Sequence, residues 1–442
     1  MTHTNTDIII VGAGAAGLAA ARELAKAGRT VTVLEARPRT GGRIHTLHNA
    51  GFSSPVESGA EFVHGDLPYT LSLLNEAGIL YQKMEGTTWQ VQKGELTQND
   101  NFIEGWDLLE SRLKELAEDM PIQQFLDTFF SEEKHKALRE SVTGFVEGYD
   151  AADISIASTF ALRSEWTSEN DSNQYRLPEG YTQLISFLEK ESKAAGGNIH
   201  LSAPVKEIRW QPGAVEVITA KGQMFSGSHT IITLPLSILQ AHTNNEASVR
   251  FSPPIPEKIQ TARQIGFGGV IKFLFEFKHA FWEENTEPSI VQRRMPRLGF
   301  LFSDAPVPTW WTQLPHMAAV LTGWLAGPNA ARLQTMPVAE LRNQALQSLA
   351  YLFNMDVQLV TQQLVASKVI NWLTDPFSDG SYSYATVDTP AAKKILNQPI
   401  ADTLYFAGEA LYEGVEMGTV EAALASGIHT AKKILFSASN LS

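Results

Sequence analysis

The stretch DIIIVGAGAAGLAAARELAKAGRTVTVLEA, close to the N-terminus, narrows the possible folds of this 442-residue chain more than any other feature. Residues 8–11 are a short β-branched run suited to a buried parallel strand. Gly12, Gly14 and Gly17 follow in G-x-G-x-x-G spacing and open an alanine-rich helix through Ala27, with Gly28 placed to end it. Residues 30–34 predict a second strand that leaves Glu35 at its carboxyl end. The glycines permit the turn and let backbone N–H groups approach a pyrophosphate at the helix N-terminus. An acid about 20 residues further on can accept hydrogen bonds from a ribose hydroxyl. A glycine motif alone is weak. Set between strand and helix and followed by the acid, it predicts a dinucleotide site.

Composition removes other classes. The net charge of −13 argues against a nucleic-acid partner, because phosphate binding wants a basic surface. There is no cysteine, so disulfides, thiolate metal sites, redox dithiols and cysteinyl cofactor links are excluded, and no metal site is expected. The start MTHTNTDIII has no basic region followed by an apolar segment, and no apolar run is long enough to span a bilayer. A cytoplasmic protein with no membrane contact is the expectation. Nothing in the sequence sets an oligomeric state.

Along the chain, WDLLESRLKELAEDM places Leu109, Leu113, Leu116 and Met120 on one helical face. HKALRESVTGFVEGYDAAD, GYTQLISFLEKESKAAGG and MPVAELRNQALQSLAYLF predict further helices. VKEIRW, AVEVITA and HTIITLP predict short strands, the last stopped by Pro235. Residues 281–335, rich in Pro, Trp and Phe, show no clear period. In GGVIKFLFEF, alternation puts Val270, Lys272, Leu274 and Glu276 on one face of a strand and Ile271, Phe273, Phe275 and Phe277 on the other. Taken alone, that pattern makes Lys272 part of a solvated face.

Four regions change that reading. LEARPRTGGRIHT after the second strand, ESGAEFVHG at 57–65, NWLTDPFSDGSYSY at 371–384 and LYFAGEA with GTVEAALASG near the C-terminus together resemble the flavin-containing amine oxidase family. The resemblance covers nearly the whole chain and is sharp at 7–65, 200–235, 266–277 and 371–430. It implies an α/β chain with a Rossmann-like FAD-binding domain of the glutathione-reductase/amine-oxidase type, interleaved with an α+β substrate-binding domain. The FAD domain would take residues 1–80, 197–277 and 371–442, and the substrate domain 81–196 and 278–370.

Residue by residue, the resemblance implies that Gly12, Gly14, Ala16, Gly17, Glu35, Ala36, Arg37, Gly42 and Arg43 hold the adenosine and pyrophosphate of FAD. Gly59, Ala60, Glu61 and Phe62 would form the turn beside the flavin ring, and Val205 would join them. Gly408 and Glu409 would meet the pyrophosphate and ribitol. The helix after Gly418 would aim its N-terminus, through Thr419 and Val420, at the electron-accepting edge of the flavin. Arg39 is expected to be a solvated loop charge.

On the reacting face, Trp372 would flank the flavin and Tyr382 would wall the path of the amine. GFGGVIK resembles the turn and strand whose lysine bonds through a water to flavin N5, so the resemblance makes Lys272 the flavin-side lysine. His64 matches a histidine of animal polyamine oxidases and would contact the amine or relay a proton. Ser381 stands where monoamine oxidases carry the cysteine of a covalent link, so FAD should be non-covalent. Thr419 stands where their second cage tyrosine would be, and, like Tyr382 and His64, would face substrate. The half-cage looks more like polyamine oxidases and histone demethylases. The long helical insertion and added domain of the demethylases and the membrane anchor of the monoamine oxidases have no counterpart in the sequence.

The activity implied is FAD-dependent oxidation of a small-molecule amine. Hydride would pass from the α-carbon to flavin N5, the imine would hydrolyse, and dioxygen would reoxidise the flavin to give hydrogen peroxide. The alternatives are an L-amino acid oxidase, for which Arg163 is a candidate carboxylate clamp, a desaturase-like flavoenzyme, or a non-catalytic flavin-binding protein. Trp89, Phe160, Trp166, Tyr175, Trp310 and Trp324 are as compatible with core as with a substrate pocket.

Overall fold

The computed structural model describes residues 3–98, 105–167, 173–241, 247–283 and 292–439. The stretches 99–104, 168–172, 242–246 and 284–291 and the chain ends, all inside the expected domain segments, lie outside the described residues.

The β-branched runs read from the sequence become a five-stranded parallel sheet. Its order is Asn198–His200, Val31–Leu34, Ile8–Val11, His229–Ile232 and Leu404–Phe406. Strands far apart in the chain thus become neighbours, and this sheet is assembled from the beginning, middle and end of the sequence. Ile8–Val11 is buried on both faces, as a central parallel strand requires. On one side lie the helices Ala15–Lys26, Thr182–Ala194 and Val420–Ser439, sharing one apolar core with the sheet. The alanines and glycines of these helices let them approach closely: a Cβ at Gly427 would sit 2.1 Å from the Ala16 carbonyl oxygen. The other side carries a second five-stranded sheet that includes Val205–Gln211 and Ala214–Thr219.

A seven-stranded sheet forms the second body. Its order is Leu364–Asn371, Val270–Phe277, Val320–Ala326, Thr309–Trp311, Leu298–Ser303, Thr87–Gln92 and Glu95–Gln98. Three of these strands fall in 281–335, where the sequence shows no period. They are short, and both faces of the sheet take large apolar side chains, so alternation leaves no trace. A cluster of short helices packs beside it, with Trp106–Glu115, Ile122–Phe129, Lys136–Gly148 and Thr159–Trp166 around one apolar core. Leu109 and Leu113 belong to the expected helix, whereas Leu116 and Met120 lie past its end and reach the same core from the following turn. Among the described residues no helix is long and apolar enough to cross a membrane.

The strand carrying Lys272 joins the two bodies. All eight of its residues are buried. Ile271, Phe273, Phe275 and Phe277 enter the core of the seven-stranded sheet. The opposite face, expected in water, is covered by the N-terminal segment: Leu274 packs with Leu47, Phe52 and Val56, and the Ser53 backbone amide donates to Glu276 at 2.9 Å. The period was legible; the covering layer was not.

Candidate active site

A cavity of about 1160 Å³ runs from the glycine turn to the helical cluster. At its nucleotide end Gly12 holds a φ of +109°, and a Cβ there would strike Thr233 Oγ1 at 2.6 Å, so only glycine makes this turn comfortably. Gly14 and Gly408 have another reason: a Cβ at either meets no protein atom within 4 Å and would stand in the cavity itself. They leave a cradle at the N-terminus of Ala15–Lys26, whose first amides have no intrahelical acceptor. Gly17 lies off the cavity wall; a Cβ there would meet the Gly12 carbonyl oxygen at 2.0 Å, so it serves the packing of turn on helix. The other residues expected to meet the cofactor line the wall, from Ala16 and Ala36 through Val205 to Val420.

Glu35 sits at the end of the second strand with its carboxylate fixed by two backbone amides, Ala13 to Oε2 at 2.7 Å and Arg37 to Oε1 at 2.8 Å. Arg37 itself forms a forked pair with Asp375, Nη1 donating to Oδ2 at 2.8 Å and Nη2 to Oδ1 at 2.5 Å. Burial raises the Asp375 carboxyl, but the Arg37 guanidinium outweighs it and holds the group below its ordinary value. Arg43 donates to Glu409 at 2.9 Å, and Glu409 also accepts from Ser383. Arg39 is no solvated charge. Its guanidinium donates to the carbonyls of Thr40, Gly42 and Ile44, bracing the glycine loop from within, and burial pushes its pKa down to about 10. Loop carbonyls with no partner of their own are the reason an arginine is needed there.

Lys272 lines the cavity. Only 1% exposed, its Nζ donates to Glu61 Oε2 at 2.6 Å and to the Gly59 carbonyl at 3.1 Å. Glu61 also accepts from Trp311 Nε1 at 2.9 Å and pairs with Arg176 at 3.1 Å. Burial pushes the Glu61 carboxyl up, yet the Lys272 ammonium and Arg176 guanidinium together hold it below the usual range. The lysine is thus held in place by an ion pair and a backbone carbonyl, which take two of its three donor positions. Trp372 is anchored alongside by its Nε1, which donates to the Ser58 carbonyl at 2.9 Å.

Beyond Lys272 the wall becomes aromatic. Tyr382 lies nearly parallel to Trp324, ring centroids 6.5 Å apart at 18°, and its hydroxyl donates to the Tyr149 carbonyl. Burial, then the Asp150 and Glu165 carboxylates, push the Tyr382 phenol well up, so it stays a donor at any working pH. His64 Nδ1 lies 3.3 Å from the Tyr149 hydroxyl, and burial pushes this imidazole down to about 4. It is neutral near pH 7. Thr419 caps the helix Val420–Ser439 rather than closing an aromatic cage; its Oγ1 accepts from the Ala422 amide at 3.2 Å and donates to the Glu416 carbonyl at 2.6 Å. Gly418 brings this helix start against Tyr382, a Cβ there lying 3.4 Å from the ring. Ser381 Oγ donates to the Gly268 carbonyl at 3.0 Å.

The sequence did not single out Arg176, Trp311, Asp375 or Tyr149. Arg176, Trp311 and Tyr149 reach the site from segments with no motif of their own, so spacing carried no signal; Asp375 lies within the 371–384 motif, where nothing in the sequence marked it as the partner of Arg37. Trp324 stood among the undecided aromatics and proves to be wall. Arg163 does not reach the cavity: it donates to the Leu113 and Leu116 carbonyls at 2.9 and 3.2 Å, closing the end of a neighbouring helix.

The open cradle at Gly14 and Gly408, the helix start at Thr419 and the pinned acid at Glu35 fit a dinucleotide with a flavin at its inner end. The profile of the family described as flavin containing amine oxidoreductase matches residues 15–435. Lysine-specific histone demethylase 1B of Mus musculus is 27% identical over 98% of this chain and 53% of its own length. Polyamine oxidase 4 of Oryza sativa subsp. japonica is 29% identical over 96% of this chain and 87% of its own. Against the lysine-specific demethylase relatives the chain spans between 30% and 59% of their length. The structure of a putrescine oxidase bound to putrescine superposes with a TM-score of 0.82 at 21% identity, covering 98% of this chain and all of the other; at that identity it shows the shared fold.

Proposed function

The chain belongs to the flavin-containing amine oxidoreductases, its cofactor is FAD, and we propose that it oxidises an amine bearing no carboxylate beside the nitrogen. One observation carries this reading: an aromatic chamber holding a neutral histidine is continuous with the nucleotide cradle, and each cation lining the cavity is already paired. Among the described residues those cations are Arg37, Arg43 and Lys272, matched by Asp375, Glu409 and Glu61. An α-amino acid would find no guanidinium for its carboxylate. Glu140, Glu147 and Glu165 are instead among the residues lining the cavity, which suits a substrate with further positive charge. Diamines and polyamines are therefore the first candidates, in keeping with relatives named polyamine oxidase and putrescine oxidase.

An amine arrives mostly as ammonium and must lose a proton before its lone pair can assist the breaking of the adjacent C–H bond. Tyr382, Trp324 and Tyr149 exclude water around it, and desolvation favours the neutral amine. His64 accepts or donates a hydrogen bond without adding charge that would repel a cation on entry. When bound, FAD supplies the acceptor for the two electrons of the C–H bond and delivers them to dioxygen, which leaves as hydrogen peroxide. Lys272, locked by Glu61 and Gly59, directs its N–H groups beside the centre where negative charge develops. Water then hydrolyses the imine. With Ser381 bonded to Gly268 and no cysteine in the sequence, no cysteinyl link to FAD can form.

Anaerobic mixing of the holoenzyme with monoamines, diamines, polyamines and α-amino acids tests this. Loss of oxidised-flavin absorbance with diamines or polyamines and not with amino acids is expected. Bleaching by amino acids alone, or by none of the four, sinks the reading.

A further inference from the structure

We propose that Glu57, a buried acid in contact with neither substrate nor cofactor, is a positioning residue whose proton sets the charge of the Lys272 cluster and thereby the electron affinity of the bound FAD. The inference rests on the flavin reading of the cavity given above. Glu57 ends the short strand Val56–Glu57 and is 8% exposed. Two donors converge on one of its oxygens: Thr46 Oγ1 at 2.9 Å and the Tyr181 backbone amide at 2.6 Å both reach Oε1. Oε2 is buried with no hydrogen-bond partner among the described residues. A carboxylate with one oxygen dry is costly, and a dry oxygen is the natural seat of a proton.

Glu61, a few residues on, is the opposite case. Lys272, Arg176 and Trp311 all donate to it, so it remains an anion. The charged groups facing Glu57 are Lys272 from the strand Val270–Phe277, Arg176 from Gln174–Arg176 and Glu61 from its own loop. The remaining titratable neighbour, the Tyr181 phenol, is buried and pushed up, so it stays neutral. Only Glu57 is left to change charge near neutrality: burial pushes its carboxyl up to about 7, against the Tyr181 amide, the Lys272 ammonium and the Thr46 hydroxyl. With that proton in place the four side chains carry one net positive charge; without it they carry none. Lys272 and Glu61 form the part of the cluster that lines the cavity, and a positive cluster favours the more negative, reduced state of a flavin beside it. Structural duty alone, holding the turn before Thr182–Ala194, would not move a potential.

The experiment compares FAD-loaded wild type with Glu57→Gln, which keeps the neutral shape. Flavin midpoint potential and the infrared carboxyl region are followed from about pH 5.5 to about 9, a span that brackets a raised carboxyl. The two potentials should coincide in acid and diverge through pH 7, with the variant higher in alkali. Over the same interval wild type should lose a protonated-carboxyl band that the variant lacks. Parallel potential curves, or a band that survives in the variant, would overturn the proposal. If Glu57→Gln fails to retain FAD, Thr46→Val serves. It removes a donor to the carboxylate, so the midpoint of the band must move to higher pH, and an unmoved midpoint is equally fatal. Neither readout uses an amine. Bleaching by amines with parallel potentials sinks only this inference, and diverging potentials in a protein that no amine bleaches sink only the proposed activity.

Discussion

At the scale of single residues, burial decides what each ionisable group can do. His64 is half-buried against Phe62 and Tyr149, with ring centroids 5.8 and 5.9 Å away, and its imidazole falls from an ordinary 6.5 to about 4. The unfolded chain therefore takes up this proton first, as pH drops below about 6.5. Stability linked to His64 is complete above that pH and is lost progressively toward 4. Urea midpoints of wild type and His64→Gln should reveal it: the variant is expected to lose less stability than wild type between about pH 7 and about pH 5. Equal losses would contradict a buried neutral histidine. The sequence marked His64 only through its resemblance to a motif, since one histidine has no period. Lys272 was marked the same way, and its strand pattern alone pointed to solvent. Arg39 was misread because a loop arginine looks solvated until the carbonyls around it are in place.

At the scale of elements, the first strand, turn and helix were legible almost to the residue, because each glycine answers a local demand. Those demands differ, and the difference can be measured. Gly14 gives room to a ligand, whereas Gly17 gives room to the Gly12 carbonyl. Gly14→Ser keeps a competent helix cap and adds atoms only to the cradle. Apoprotein Tm should stay within about 2 °C of wild type, while FAD affinity falls by about 10-fold or more, a loss of ~1.4 kcal/mol. Gly17→Ser should lower the melting temperature of the apoprotein itself. Apoprotein melts and FAD titrations by flavin fluorescence separate the two, and a Gly14→Ser variant that binds FAD as wild type does would remove the cradle from the site. The strands within 298–326 escaped sequence reading for the converse reason. Where both faces of a sheet are apolar, the period of two that betrays a strand disappears.

At the scale of the whole molecule, one cavity collects walls from every part of the chain: the turn at Gly14, the loop at Gly59, Val205, Lys272, Tyr382 and the helix start at Thr419. A ligand seated there ties together segments that are distant in sequence, so FAD should stabilise the protein as a unit. At 100 times its Kd, FAD adds about 2.7 kcal/mol, or roughly 3 °C in Tm for a chain of this size. Intrinsic tryptophan fluorescence, reporting mainly the seven-stranded sheet, and circular dichroism should shift together on loading. A transition that ignores FAD would mean that the body built on the seven-stranded sheet melts independently. The sequence by itself determined a dinucleotide fold at the glycine turn, because that depends on local backbone geometry and on spacing within one turn and strand; that the dinucleotide is FAD came from the resemblance of whole motifs to a family. Tertiary structure alone decided that Lys272 is buried and paired, that Arg163 is no clamp, and that Glu57 sits dry beside three charges. These facts depend on which distant segment meets a side chain, 50 residues away for Arg163 and 211 for Lys272, and such a segment leaves no period in the element it covers.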